Sequence, residues 1–492
     1  MSSRPIAAGP TRRQWLLLVC LFLLSLPAVT PRIYSSDEIQ YFAYLRSIWF
    51  DHDLSFENEY QYFYDHGIGK SEGFHETFLE QKTDTGRRIN FGTIGCAILW
   101  SPFYLAGDVV ARLTGAPVDG FSKPYVAAVA YGSAVYGFLA LVLAILCAQR
   151  LGFNGFWPAL AVWFGTPLLF YMYIAPPFSH ACSAFGVALF TYVWLRVRDE
   201  WLVRGLIALG AVGALMAMVR EQDAFFVAGP ALDFAWRRLA DVRGSRFEVR
   251  GATIGVIAAI ISFGAVFTPQ AVSYLVLNGH IGPHASVAHK MKWWAPHAGE
   301  VLFSPEHGFL VWTPLALVAI AGLFAMLLPP KGGSYREREE AGASTNQPVA
   351  SAFRRKKQVA ICLLLMLALQ TYVGGSVESW TVAGAFGQRR FIALTTVMVI
   401  GLSCLWSRLP RLNHVRRGGF YLAMALLVYW NLALIAEFSI GLMNRQYLEP
   451  QRNLRDAFIT VPREVPSLVY RYLFDRQSFY RGSRIDGRGS GS

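Results

Sequence analysis

The sequence predicts an all-α, polytopic membrane protein, and three observations predict it. First, 54% of the 492 residues are apolar and only 16% are charged. Second, the apolar residues gather in runs near 14–30, 123–147, 156–173, 178–195, 202–219, 221–236, 251–272, 308–329, 358–374, 392–407 and 418–438. One crossing takes about 20 such residues, so these runs read as a bundle of about 11 transmembrane helices. Third, short loops rich in basic residues alternate with loops poor in them. Arg237, Arg238, Arg243, Arg246 and Arg250 fall in one, and Lys331, Arg336, Arg338, Arg354, Arg355, Lys356 and Lys357 in the next. Arg408, Arg411, Arg416 and Arg417 fall in a third, and the loops between are poor in them. This is the positive-inside pattern of a cytoplasmic membrane.

Taken from the N-terminus, Arg12 and Arg13 precede the first run and put that end in the cytoplasm. The run lacks a small-x-small exit site before Pro27–Pro31, so it reads as a retained span and not a cleaved signal. Run 91–112 carries Pro102, Gly107 and Asp108 and reads as a membrane-skimming element. Three outer segments have room for a site: 31–122, 273–307 and 375–391. The cytoplasmic loop 330–357 is polar without periodicity and reads as disordered. Residues 1–440 thus form one transmembrane unit, with 441–492 as an outer tail ending in a flexible Gly-Arg-Gly-Ser-Gly-Ser. The tail is basic although outside, but tails obey the charge rule poorly.

Some function classes drop out at this stage. The net charge of +13 suits nucleic acid, yet its loop distribution assigns it to the membrane, so no nucleic-acid partner is expected. Cys20, Cys96, Cys147, Cys182, Cys362 and Cys404 all sit in or beside apolar runs, which excludes a disulfide framework and a CxxC metal site.

The first chemistry-bearing stretch is Ser35-Ser36-Asp37-Glu38, just beyond the first span. Carboxylates are costly near hydrocarbon, so an acidic pair there is a candidate site. Positions 38, 41, 42, 45, 48 and 49 repeat at helical spacing, which predicts a helix over 36–50. Its aromatic face should lie flat on the membrane interface and hold both acids at headgroup height. A structural reading stands beside this one. Ser35-x-x-Glu38 is a capping-box pattern, and Asp37 in the first turn complements the helix dipole. A capping carboxylate is also expected to have a lowered pKa, which weakens it as a base.

Four stretches carry a family resemblance: DEIQYFAYLRSIWFDHDLSF after the first span, WSPFYLAGDVVARLTG, LFSPEHGFLVWTPLAL and WTVAGAFGQRRFIAL. Together they make residues 14–438 resemble the GT-C superfamily of integral-membrane glycosyltransferases, and within it the bacterial protein-mannosyltransferase-like branch. The resemblance implies a GT-C-like fold and transfer of a sugar from a polyprenyl-phosphate donor. It implies a long first periplasmic loop with interfacial helices, and a first-loop aspartate as base, which falls on Asp37. Glu38 matches the second acid. The acceptor would be a glycan, a lipid or a protein on the outer face of a bacterial inner membrane. No cofactor is certain, although some relatives use a divalent cation.

Such chemistry needs a base for the acceptor hydroxyl and cations for the departing phosphate. Arg389 and Arg390 follow Gly384 and Gly387 on the outer side and suit phosphate by their bidentate fork, or else snorkel to headgroups. Arg220, Glu221, Gln222 and Asp223 are four polar residues between apolar runs, expensive unless they face a cavity or pair with one another. His180 touches the sugar or caps its helix. Trp293 and Trp294 suit a sugar ring, and Glu378 suits sugar hydroxyls or a metal. His280, His284, His289, His297 and His307 lack zinc spacing, and no metal ligand is assigned. Two rival classes remain: a polymerase or ligase using a lipid-diphosphate oligosaccharide, and a lipid-linked sugar flippase. The flippase is disfavoured because no internal repeat is visible.

Overall fold

A computed structural model describes residues 9–69, 73–243, 249–329, 347–382, 384–476 and 478. Among them there is no strand, only two isolated bridges, Lys82 to Arg88 and Met291 to Val377. The chain is an all-α polytopic membrane protein. Among the described residues seven helices are long and apolar enough to cross a membrane: Gly95–Thr114, Lys123–Arg150, His180–Val197, Thr253–Asn278, Phe353–Ser376, Arg389–Trp406 and His414–Ile440. The Thr253–Asn278 helix turns Ile254, Ile257, Ile260 and Ile261 outward, a face that only lipid or a partner would cover.

The other expected crossings are shorter or broken, and proline explains most of the breaks. Run 156–173 divides at Thr166-Pro167 into Phe156–Gly165 and Leu168–Tyr173. Run 308–329 divides at Thr313-Pro314 into Phe309–Trp312 and Leu315–Leu327. The first run is helical over Arg12–Ser25 and then tightens into a 3-10 turn, Leu26–Ala28, containing Pro27. A missing N–H and a ring clash end a helix in this way. Run 221–236 opens as a 3-10 turn, Glu221–Val227, before Ala228–Arg243.

Small residues set how closely the spans pack. The Leu315–Leu327 and Thr395–Trp406 helices cross so tightly that a Cβ on Gly322 would collide with the Gly401 carbonyl oxygen. Lipid tails are as apolar as leucine, so contact of this kind, and not solvent exclusion, holds membrane helices together.

Several expectations need correction. The run read as membrane-skimming forms one continuous helix, Gly95–Thr114, with Pro102 inside it. Residues 330–346 of the loop read as disordered lie outside the described residues, as do Arg246, Lys331, Arg336, Arg338 and the terminal Gly-Arg-Gly-Ser-Gly-Ser. From Gln347 the chain is helical through Ser376.

The helix expected to lie on the membrane interface spans Ser36–Arg46 and continues as a π turn to Asp51. It is packed inside protein. Ile39, Phe42, Ala43, Tyr44 and Leu45 are buried in an aromatic cluster with Phe56, Tyr60, Phe63, Trp100 and Tyr104. The face expected to be polar is covered as well. Gln40 accepts from the Phe91 N–H at 2.7 Å, and its carbonyl accepts from Asn90 at 3.1 Å. Residues 90–92 thus supply the partners that water would otherwise supply. Only Ile48, Trp49 and Asp51, near its end, are exposed.

The outer tail is also ordered over much of its length. Asn453 donates to Glu437 at 2.6 Å, and a helix follows over Val461–Phe474. The Tyr472 hydroxyl donates to the Ala28 carbonyl at 2.7 Å. Arg476 reaches the carbonyls of Pro27 and Val29. The tail therefore clasps the turn that leads from the first helix to the acidic pair.

Candidate functional site

The capping box decides which way the two acids point. Glu38 is fully buried and accepts the backbone N–H groups of Tyr34 at 2.7 Å and Ser35 at 3.0 Å. The Ser35 hydroxyl accepts from Glu38 N at 3.3 Å. Both groups of a capping box are therefore engaged, and Glu38 faces the protein interior. Its carboxyl is not lowered, as a capping role alone suggested, but pushed up to about 8. Burial, which penalises the charged form, outweighs the two backbone donors. Asp37 lies about 100° around the helix from its neighbour and faces the other way, into a cavity.

That cavity has a volume of about 560 Å³ and draws its walls from segments 31–122, 273–307 and 375–391 and from the ends of several helices. Asp37, His180, Arg220, Glu221, Trp293, Arg389 and Arg390 all line it. Glu38, Trp294 and Glu378 do not. Trp294 is 99% exposed, and Glu378 is exposed while its N–H bonds the Lys290 carbonyl at 2.8 Å.

Asp37 Oδ2 lies 2.9 Å from Arg389 Nη2. The arginine is set by its approach. Gly387 has φ +60, and a Cβ there would meet the Pro167 ring at 2.7 Å, so glycine alone fits the turn. Two residues on, the chain enters the 3-10 turn Arg389–Leu394. Arg389 also stacks over the Phe178 ring at 5.1 Å. Arg390 turns to Ser379, donating to its carbonyl at 2.9 Å and its hydroxyl at 3.2 Å.

Arg220 ends the Val203–Val219 helix in an extended conformation. It pairs with neither neighbouring acid: among the described residues it forms no ion pair with Glu221 or Asp223. Asp223 is turned away and accepts from Ser183 at 2.6 Å. Arg220 instead donates to His180 Nδ1 and to the Gln222 amide oxygen in the orientation that satisfies both side chains. Because arginine has no acceptor, His180 must be the neutral Nε2–H tautomer. Its ring is wedged against Phe178 and edge-on to Tyr171, with centroids 5.8 and 4.7 Å away. His180 thus supports a guanidinium, a role that neither sequence reading assigned to it.

The remaining histidines do not converge. His284 bonds Ser286, His297 faces Glu300, and His307 is buried against the Ala385 carbonyl. Among the described residues no three His, Cys, Asp or Glu side chains gather as a metal-ligand group. The cavity's own donors also fit a divalent cation poorly. Asp37 is engaged by a guanidinium, and further arginines stand nearby, so like charge opposes a second cation.

Some lining residues escaped sequence reasoning. Lys290 brings a fourth cation from the histidine-rich loop, its Nζ 5.1 Å from the Phe91 ring centroid. Tyr41, Phe178, Ser179 and Ser379 complete the wall. The signal for Ser379 was faint: one serine in the segment that ends at the arginine pair. A second cavity, of about 450 Å³, lies between Tyr173, Leu432 and the C-terminal helix, and its lining is almost wholly apolar.

The arrangement is a cationic cleft for an anion, with Asp37 placed beside the arginines to take a proton and Trp293 among the aromatic side chains of the wall. No protein-family model matches the chain, and no curated protein matches it.

Proposed function

We propose that the chain is an inverting, GT-C-like glycosyltransferase that moves a sugar from a polyprenyl-phosphate donor to an acceptor on the outer face of a bacterial cytoplasmic membrane. On this reading about 11 crossings, counted from a cytoplasmic N-terminus set by Arg12 and Arg13, would leave the cavity on that face. The observation that carries the reading is the meeting of Asp37 with Arg389, Arg390 and Arg220 in one cleft, from three places in the sequence about 170 to 350 residues apart. The acceptor oxygen attacks the anomeric carbon, and the bond from that carbon to the phosphate oxygen breaks with its electron pair going to phosphate. Asp37 takes the acceptor proton, and the arginines stabilise the charge left on phosphate. Trp293 offers a ring face to the sugar. Glu38, expected as the second acid, serves here as the helix cap.

The test is transfer from a panel of radiolabelled polyprenyl-phosphate sugars to a crude membrane acceptor, run beside Asp37→Asn. Loss of transfer in a variant that melts like the parent supports the base; full activity in that variant sinks it. A second reading, an enzyme using a lipid-diphosphate oligosaccharide, gains support from the number of cations in the cleft. Competition between the two donor types separates them.

A further inference from the structure

The charge on the cavity wall exceeds what one phosphodiester needs. Four cationic side chains line it (Arg220, Lys290, Arg389 and Arg390) against two carboxylates, Asp37 and Glu221. His180 adds no charge, since its Nδ1 accepts from Arg220. Two positive charges are left over. Among the described residues, Arg389 alone of the three guanidiniums forms an ion pair with a carboxylate. Arg390 is held by Ser379, and Arg220 by His180 and Gln222, all neutral groups. Such partners aim a guanidinium without compensating it. All three arginines are half-buried, where like charges are less well screened than in open water.

We propose that this wall is a dianion site, selecting a lipid phosphate end that carries two negative charges over one that carries a single charge. The proposal rests on the glycosyltransferase reading and sharpens its substrate class. A sugar joined to a lipid through one phosphate is a diester with one negative charge. When the anomeric carbon–oxygen bond breaks, the phosphate keeps the electron pair and becomes a monoester, dianionic near neutral pH because its second pKa is about 6. A wall two charges in surplus then holds the departing group better than the donor, which places the stabilisation where charge develops. Release of that lipid phosphate becomes the slow step. A diphosphate-linked donor carries two charges from the outset. The shared chemistry is the dianion, and the choice of ligand separates its two sources.

The experiment is calorimetric titration of the purified full-length protein in detergent with farnesyl phosphate, its monomethyl ester, and methyl farnesyl diphosphate. Both dianions are expected to bind at least about tenfold tighter than the monoanionic ester. Arg390→Gln should narrow that gap to within about threefold, while Arg390→Lys, which keeps the charge, should preserve it. Of the two dianions, tighter farnesyl phosphate marks the released lipid phosphate as the matched state, and tighter diphosphate marks a diphosphate-linked donor. Equal binding of the monomethyl ester and the dianions by the parent protein overturns the dianion site and leaves the glycosyltransferase reading intact. If folded protein binds none of the three, both are overturned.

Discussion

Glu38 makes the sharpest stability prediction, because the same residue was a candidate for catalysis. Its carboxyl is buried, its Oε2 accepts two backbone N–H groups, and its Oε1 has no partner. Burial raises it from 4.5 to about 8. Between those two values the folded protein binds a proton that the unfolded chain has lost, so stability must fall as pH rises through that window. Each pKa unit is worth about 1.4 kcal/mol, so the loss from pH 4.5 to above 8 is on the order of 3–5 kcal/mol for this one group. Glu38→Gln mimics the protonated acid: it keeps an acceptor for Tyr34 N and Ser35 N and leaves the same second atom unpartnered. It should match the parent within about 1 kcal/mol near pH 4, exceed it by about 2 kcal/mol at pH 6 and flatten the decline at higher pH. Glu38→Ala strands two donors and a helix start, at a cost of about 2–4 kcal/mol. The assay is apparent melting temperature against pH in detergent, followed by tryptophan fluorescence, for the parent and both variants. A Glu38→Gln protein that loses stability with pH as steeply as the parent would refute burial as the cause.

Two further outcomes are expected. Trp293→Ala should raise KM for the sugar donor several-fold with little change in melting, since the ring lines the cavity beside Phe225 and Tyr372; Trp294→Ala, at a fully solvated ring, should leave KM alone. Tyr472→Phe combined with Arg476→Ala removes the bonds that tie the C-terminal helix to the carbonyls of residues 27–29; limited proteolysis should then clip the tail while the rest of the chain stays intact, and an unchanged digest rules out the clasp.

What was legible in the sequence follows from how local each signal is. Apolar runs report the solvent around them, so the helical membrane class and most span positions were readable. Where a run was wrongly read as continuous, the cause was a proline whose effect depends on neighbours, as at Pro167 and Pro314; Pro102 sits inside an unbroken helix. The Ser36–Arg46 helix was misplaced for a related reason. Aromatic residues at helical spacing suit a lipid interface and a protein core equally, and only the long-range partners at Asn90 and Phe91 decide between them.

The site divides along the same line. Asp37, Arg220, Arg389 and Arg390 stood out because each is a charge beside hydrocarbon, a cost that sequence alone exposes. The roles of Glu38 and His180 were not readable, because each depends on what lies opposite. Ser35-x-x-Glu38 was recognised as a cap, yet nothing in four residues shows that burial would outweigh the cap's effect on the carboxyl. His180 and Arg220 are forty residues apart, and only their contact makes the imidazole a neutral support of the guanidinium. The surplus of charge in the cleft is therefore a tertiary property. It arises because Asp223, the acid nearest Arg220 in helical register, is turned away and bonded to Ser183. Had that carboxylate faced the cavity, the wall would carry one surplus charge and match a phosphodiester as well as a dianion.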